Sequence, residues 1–180
     1  MKRIFVTVGL VLLLASCNNN SDKTSTKEEG MSSEKINYAY MPMGHDPDYW
    51  EKGDQKNLAM VLQALKDFEN GDVDAAMKAF GDSVQWNTDG FEAKLSKDSL
   101  HSMLSSFRKS LKNLKIDMDD YESVIGKDKK SEWVSLWYKQ TVTDMNGKTD
   151  SLVAMDDCKI ENGKVTVLDE KQRRFAAPKK

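Results

Sequence analysis

Between residues 115 and 175 the apolar pattern repeats every second residue, and its interruptions are too short to hold a helix. Four runs carry the pattern, at 115–125, 131–143, 150–161 and 164–175. The gaps include Asn146-Gly147 and Asn162-Gly163. Both pairs suit a two-residue hairpin turn, because its two central positions need positive φ. Parallel neighbours would need crossovers of about a dozen residues or more. The four runs must therefore form an antiparallel meander. In the second run Trp133, Ser135 and Trp137 point to one side, and Val134, Leu136, Tyr138 and Val142 to the other. Both faces carry apolar bulk. One face should lie under helices, and the other needs a partner or a cover.

The helices come from the preceding segment. Leu58, Val61, Leu62, Leu65 and Phe68 recur at three- and four-residue spacing and form one apolar stripe. Gly71 can end that helix in the left-handed conformation, and Asp72 can cap the next. Val73, Ala76, Met77 and Phe80 continue the stripe through a second, shorter helix. Val84 and Trp86 then alternate with polar residues as a short strand, and Thr88-Asp89-Gly90 turns out of it. Ser96 caps a third helix, with Asp98 in its first turn. Leu100, Met103, Leu104, Phe107, Leu111 and Leu114 are placed on one face of it, with His101 about a quarter turn round, beside Arg108. Three helices followed by an antiparallel meander make an α+β domain over residues 54–175, with a short tail at 176–180.

The N-terminus specifies an address. Lys2 and Arg3 precede an apolar run from Ile4 to Leu14, too short to span a bilayer as a stable helix and therefore read as a secretory signal over residues 1–16. Its ending, Leu14-Ala15-Ser16-Cys17, resembles the lipobox of bacterial lipoproteins. That resemblance implies cleavage before Cys17, diacylation of its thiol and attachment to the membrane through the lipid, in the envelope of a Gram-negative cell. Residues 17–35 are the lipidated cysteine and a tether too polar to order itself. Residues 36–53 carry Tyr38, Tyr40, Tyr49 and Trp50 with Pro42 and Pro47, and read as an extended arm. Without Lys2 and Arg3 the 27 basic residues fall to 25 against 29 acidic ones, a net charge of about −4. No basic cluster is present to bind nucleic acid. Cys158 is left without a partner and reads as a small buried apolar residue. His45 reads as a surface-loop residue, and two separated histidines provide no metal site. No cofactor is expected.

The run ENGDVDAAMKAFGDSVQWNTDG, with the later WVSLWY, DMNGKTD and ENGKV, resembles the NTF2-like superfamily and its SnoaL-like members. The resemblance implies a cone in which a strongly curved antiparallel sheet wraps three N-terminal helices and leaves an apolar pocket at its mouth. It also implies a homodimer through the outer sheet face. In the ketosteroid-isomerase branch a carboxylate base would fall at Asn87 or Thr88 and an oxyanion-stabilising tyrosine at Ala64, so both parts are missing. The candidate pocket residues are Trp86, Asp89, His101, Leu104, Phe107 and Asp156. The leading expectation is non-catalytic binding of a small apolar ligand or a protein partner. One alternative is a SnoaL-like isomerase or hydrolase with Asp89, His101 and Asp156 as candidate acid and base; another is a structural, dimeric envelope module. Pocket carboxylates with raised pKa values would favour the enzyme, an all-apolar pocket the binder, and a filled or absent pocket the structural module.

Overall fold

The computed structural model describes residues 36–175, and those from Tyr40 onward form the unit considered below. Cys17, the signal segment, the tether up to residue 35 and the tail 176–180 lie outside the described residues.

Local chemistry sets the helix boundaries. Helix α1 (Gln55–Asn70) begins where the Asp54 carboxylate accepts the Lys56 N–H at 2.8 Å. It ends on Gly71 at φ 91°, a left-handed value that glycine adopts without a Cβ penalty. Asp72 caps α2 (Val73–Ala76) by accepting the Ala75 N–H, and a 3-10 turn, Met77–Ala79, leads into β2 (Phe80–Thr88). Ser96 caps α3 (Lys97–Lys109) through the Ser99 N–H. The meander follows as β4 (Leu111–Gly126), β5 (Glu132–Asp144), β6 (Thr149–Glu161) and β7 (Lys164–Arg174).

Two further strands complete the sheet: β1 (Trp50–Lys52) and β3 (Phe91–Ser96). The described residues form one seven-stranded sheet in the order β1-β4-β5-β6-β7-β2-β3. Neighbouring pairs are antiparallel except β2 and β7, which run parallel. The parallel pair is possible because the whole meander separates these strands in sequence, which gives the chain ample length to cross over.

Three expectations need correction. The third helix stops at Lys109, so Leu111 and Leu114 open β4 instead of extending the helical face. Both are buried there, so burial alone could not distinguish the two assignments. Residues 91–96 form a strand against β2, where the sequence pattern implies only a turn into a helix. Part of the 36–53 arm is also a strand: Trp50–Lys52 pairs with Val124–Gly126 at the sheet edge.

The core lies on the concave side of the sheet in two clusters. One joins Leu58 and Val61 of α1 to Val134, Leu136, Ala154, Cys158 and Val165 of the sheet. The other joins Val73, Met77, Val84 and Leu100, with Phe68, Trp86 and Leu104 packed on it. Phe80 and Leu168 touch both clusters. Arg108 fastens the helices together. Its guanidinium donates to the Phe68 and Glu69 carbonyls at 3.2 and 3.1 Å, at the end of α1 where the helix dipole is negative.

Candidate functional site

Between the two clusters the concave face encloses a cavity of about 240 Å³. Its helical wall is apolar: Val61, Ala64, Leu65 and Phe68 from α1, and Leu104 and Phe107 from α3. The sheet supplies Phe80, Trp86 and Thr88 from β2, Leu136, Tyr138 and Gln140 from β5, Asp156 and Cys158 from β6, and Val165, Leu168, Glu170 and Gln172 from β7. A second, more polar groove of about 230 Å³ shares Phe107, Gln140 and Gln172 with the cavity and ends at the Asp150–Arg174 pair.

Two acids stand side by side in the apolar wall. Asp156 and Glu170 are directly paired across β6 and β7, so their side chains share the concave face. Asp156 Oδ2 accepts from the Tyr138 hydroxyl at 2.8 Å, and Tyr138 is itself buried. Its other oxygen, Oδ1, is buried with no hydrogen-bond partner. Glu170 accepts from the Gln172 side-chain amide. Burial, and then the charge of Glu170, push Asp156 from 3.8 up to about 8, outweighing the opposing Tyr138 hydrogen bond. Burial also raises Glu170, helped by the charge of Asp89. Near neutral pH the pair as a whole therefore retains a proton. Burial drives Tyr138 and Cys158 upward too, so both remain protonated. Trp86 Nε1 is a second buried polar atom without a partner on this wall.

The six candidate residues divide. Trp86, Leu104, Phe107 and Asp156 line the cavity. His101 does not: it is on the outer flank of α3, where Nε2 meets Asp74 at 2.6 Å. The helical stripe that places Leu104 and Phe107 inward turns His101 away. Asp89 is exposed in the β2–β3 turn and reaches the site only through its effect on Glu170. Ala64 and Thr88, where the isomerase branch would carry its phenol and one of its possible base positions, both line the cavity without that chemistry. Tyr138, Glu170 and Gln172 were missed as site residues. Among the described residues no three His, Cys, Asp or Glu side chains are grouped to hold a metal ion.

Residues 1–18 match the family model of the prokaryotic membrane lipoprotein lipid attachment site. The protein is thus a lipid-anchored component of the bacterial cell envelope, with Cys17 as the lipid-bearing residue. No curated protein matches the chain in sequence. Solved structures with the same fold include the SalBIII epoxide hydrolase/cyclase-like enzyme of pyran ring formation in salinomycin (18% identity, 66% of this chain and 92% of that one, TM-score 0.56). An LEH-like epoxide hydrolase of M. tuberculosis is similar at 13% identity, over 66% of this chain and 84% of that one, with a TM-score of 0.54. An NTF2-like protein of unknown function from Burkholderia pseudomallei is similar at 15% identity, over 66% and 90%, with a TM-score of 0.52. At such identities the likeness establishes the fold, an NTF2-like α+β cone, and leaves the chemistry to the residues.

Proposed function

We propose that this envelope lipoprotein binds a small, mostly apolar molecule in the cone cavity, with one polar group of that molecule hydrogen-bonded to Asp156. The carrying observation is the unpartnered Oδ1 of a buried aspartate on an otherwise largely apolar wall. Leaving such an atom unpaired costs about 1–3 kcal/mol, and a ligand that completes it recovers that cost. The open cavity argues against a purely structural module, whose core would be filled. Filling the cavity tests the reading. Ala64→Phe should abolish binding of a neutral apolar dye such as N-phenyl-1-naphthylamine while leaving the melting temperature within a few degrees. Unchanged dye binding in a folded Ala64→Phe protein would contradict it.

A second reading has one observation in its favour. Two adjacent carboxyls with different environments, one holding a proton at neutral pH, are suited to acid–base chemistry. A binder returns its ligand unchanged and an enzyme does not, so the mass of ligand recovered after prolonged incubation separates the two. We also propose that the convex face holds a second copy of the chain. Trp133, Trp137, Met155 and Val167 lie there half-buried, around a polar centre in which Ser135 and Lys171 both donate to Asp157. Sedimentation of the mature chain would read the dimer directly.

A further inference from the structure

We infer that the ligand of this cavity is a cation: a small apolar amine whose ammonium group lies against Asp156 and Glu170 while its hydrocarbon body fills the space under α1 and α3. The inference deepens the binding reading and rests on it. Its first ground is the charge inventory of the wall. Two acids line the cavity, and no Lys, Arg or His does. The donors they do receive, the Tyr138 hydroxyl and the Gln172 amide, are neutral. The neighbouring residue makes the contrast plain. Asp157 points to the opposite face of the same strand, and there Lys171 pairs with it at 2.9 Å. The chain thus neutralises the outer carboxylate with its own cation and leaves the inner pair without one.

The second ground is the buried Oδ1 of Asp156, an acceptor site with no donor from the protein. An ammonium offers three donors from one atom, enough for Oδ1 and Glu170 together. The third is the wall itself. Phe68, Phe80, Trp86, Phe107 and Tyr138 line the same cavity as the acids, and aromatic rings attract a cation and exclude water from it. An anion would meet two acids and no counter-charge. A neutral alcohol can satisfy Oδ1, but it gains nothing from Glu170's charge.

Binding a cation should expel the proton that the empty pair retains. Affinity for an amine therefore rises with pH until Asp156 has titrated, at about 8, and falls again once the amine loses its own proton. The groups facing Asp156 are Tyr138 from β5, Cys158 along β6 and Glu170 from β7, with Asp157 and Lys171 acting from the other face. Asp89 acts on Glu170 from the β2–β3 turn. Helices α1 and α3 contribute no titratable side chain to the wall.

Calorimetry on the mature chain, made without its lipid, tests this with three probes of one shape: 4-phenylbutylamine, 4-phenylbutanol and 4-phenylbutyrate. The expected order at pH 8 is amine over alcohol by about tenfold or more, since one added charge contact is worth on the order of 1.4 kcal/mol, with no binding of the carboxylate. Amine affinity should rise several-fold from pH 6.5 to 8, and its binding heat should depend on the buffer that takes up the released proton, whereas alcohol affinity should not rise. Asp156→Asn and Glu170→Gln should each bring the amine-to-alcohol ratio towards one, and Asp157→Asn on the outer face should leave it unchanged. Alcohol or carboxylate binding as tightly as the amine would overturn the cation inference and leave the cavity reading standing. Failure of all three probes to bind would overturn both.

Discussion

Asp156 makes the stability of this domain depend on pH in an unusual direction. A carboxyl whose folded pKa is raised from 3.8 to about 8 binds its proton more tightly in the folded state. Its stabilising effect is complete below about pH 4 and is lost as pH rises through 8. Other acids run the opposite way: Glu51, paired with Lys129, and Glu161, paired with Lys159, are held below their usual range and lose stabilisation on acidification. Asp156→Asn removes the first effect alone. We expect thermal unfolding at pH 8.5 to shift upward by about 3 °C or more in that variant, roughly 1 kcal/mol for a domain of this size, with a much smaller shift at pH 5. Equal shifts at both pH values would show that Asp156 is ionised throughout. At Arg108 the expected effect has the opposite sign. Its hydrogen bonds to the end of α1 are partly buried, so Arg108→Ala should cost about 2 kcal/mol in denaturant unfolding. Arg108→Lys should recover only part of that, because one ammonium cannot reproduce the planar fork.

At the scale of elements, hairpin chemistry is readable only in part, since Gly147 has positive φ and Asn146 does not, and register is not readable. Asn162 and Gly163 do form the β6–β7 turn, both at positive φ, and the alternation along β6 puts Asp156 on the same side as Ala154 and Cys158. Counting straight back from that turn, however, sets Asp156 opposite Asp169. A bulge intervenes: Ile160 faces Val165 and Lys159 faces Val167, leaving Thr166 without a partner. That single extra residue turns Leu168, Glu170 and Gln172 inward and Asp169 and Lys171 outward, since a shift of one reverses every side chain. Glu170 was thus illegible in the sequence for a definite geometric reason. Deleting Thr166 should restore the plain hairpin register and eliminate dye binding; a folded deletion variant that still binds dye would show that the bulge does not set the site. The convex face makes its own prediction. Trp137→Arg should convert the proposed dimer to monomer in sedimentation, while Trp137→Phe should not.

The whole molecule combines a lipid attachment signal with an NTF2-like cone whose cavity lies between two core clusters. The signal was legible because it is local: charge, an apolar run and a small-residue ending before Cys17. The order of helices and antiparallel strands was legible from periods and turns, because each stripe and each alternation states which side it buries, whereas the cone followed only from the likeness to the NTF2-like superfamily. The site was legible only where one element determines it, as for Leu104 and Phe107 on α3. It was illegible where two elements combine, as at Glu170, which the β6–β7 register shift turns inward. In the function proposed above, the cavity takes up a small molecule from the envelope. Native mass spectrometry of the protein, exposed to an extract of its own membranes, tests it most directly. The expected result is a one-to-one adduct with a small basic molecule, absent from Ala64→Phe. Protein that stays empty, or an adduct that persists in Ala64→Phe, would contradict it.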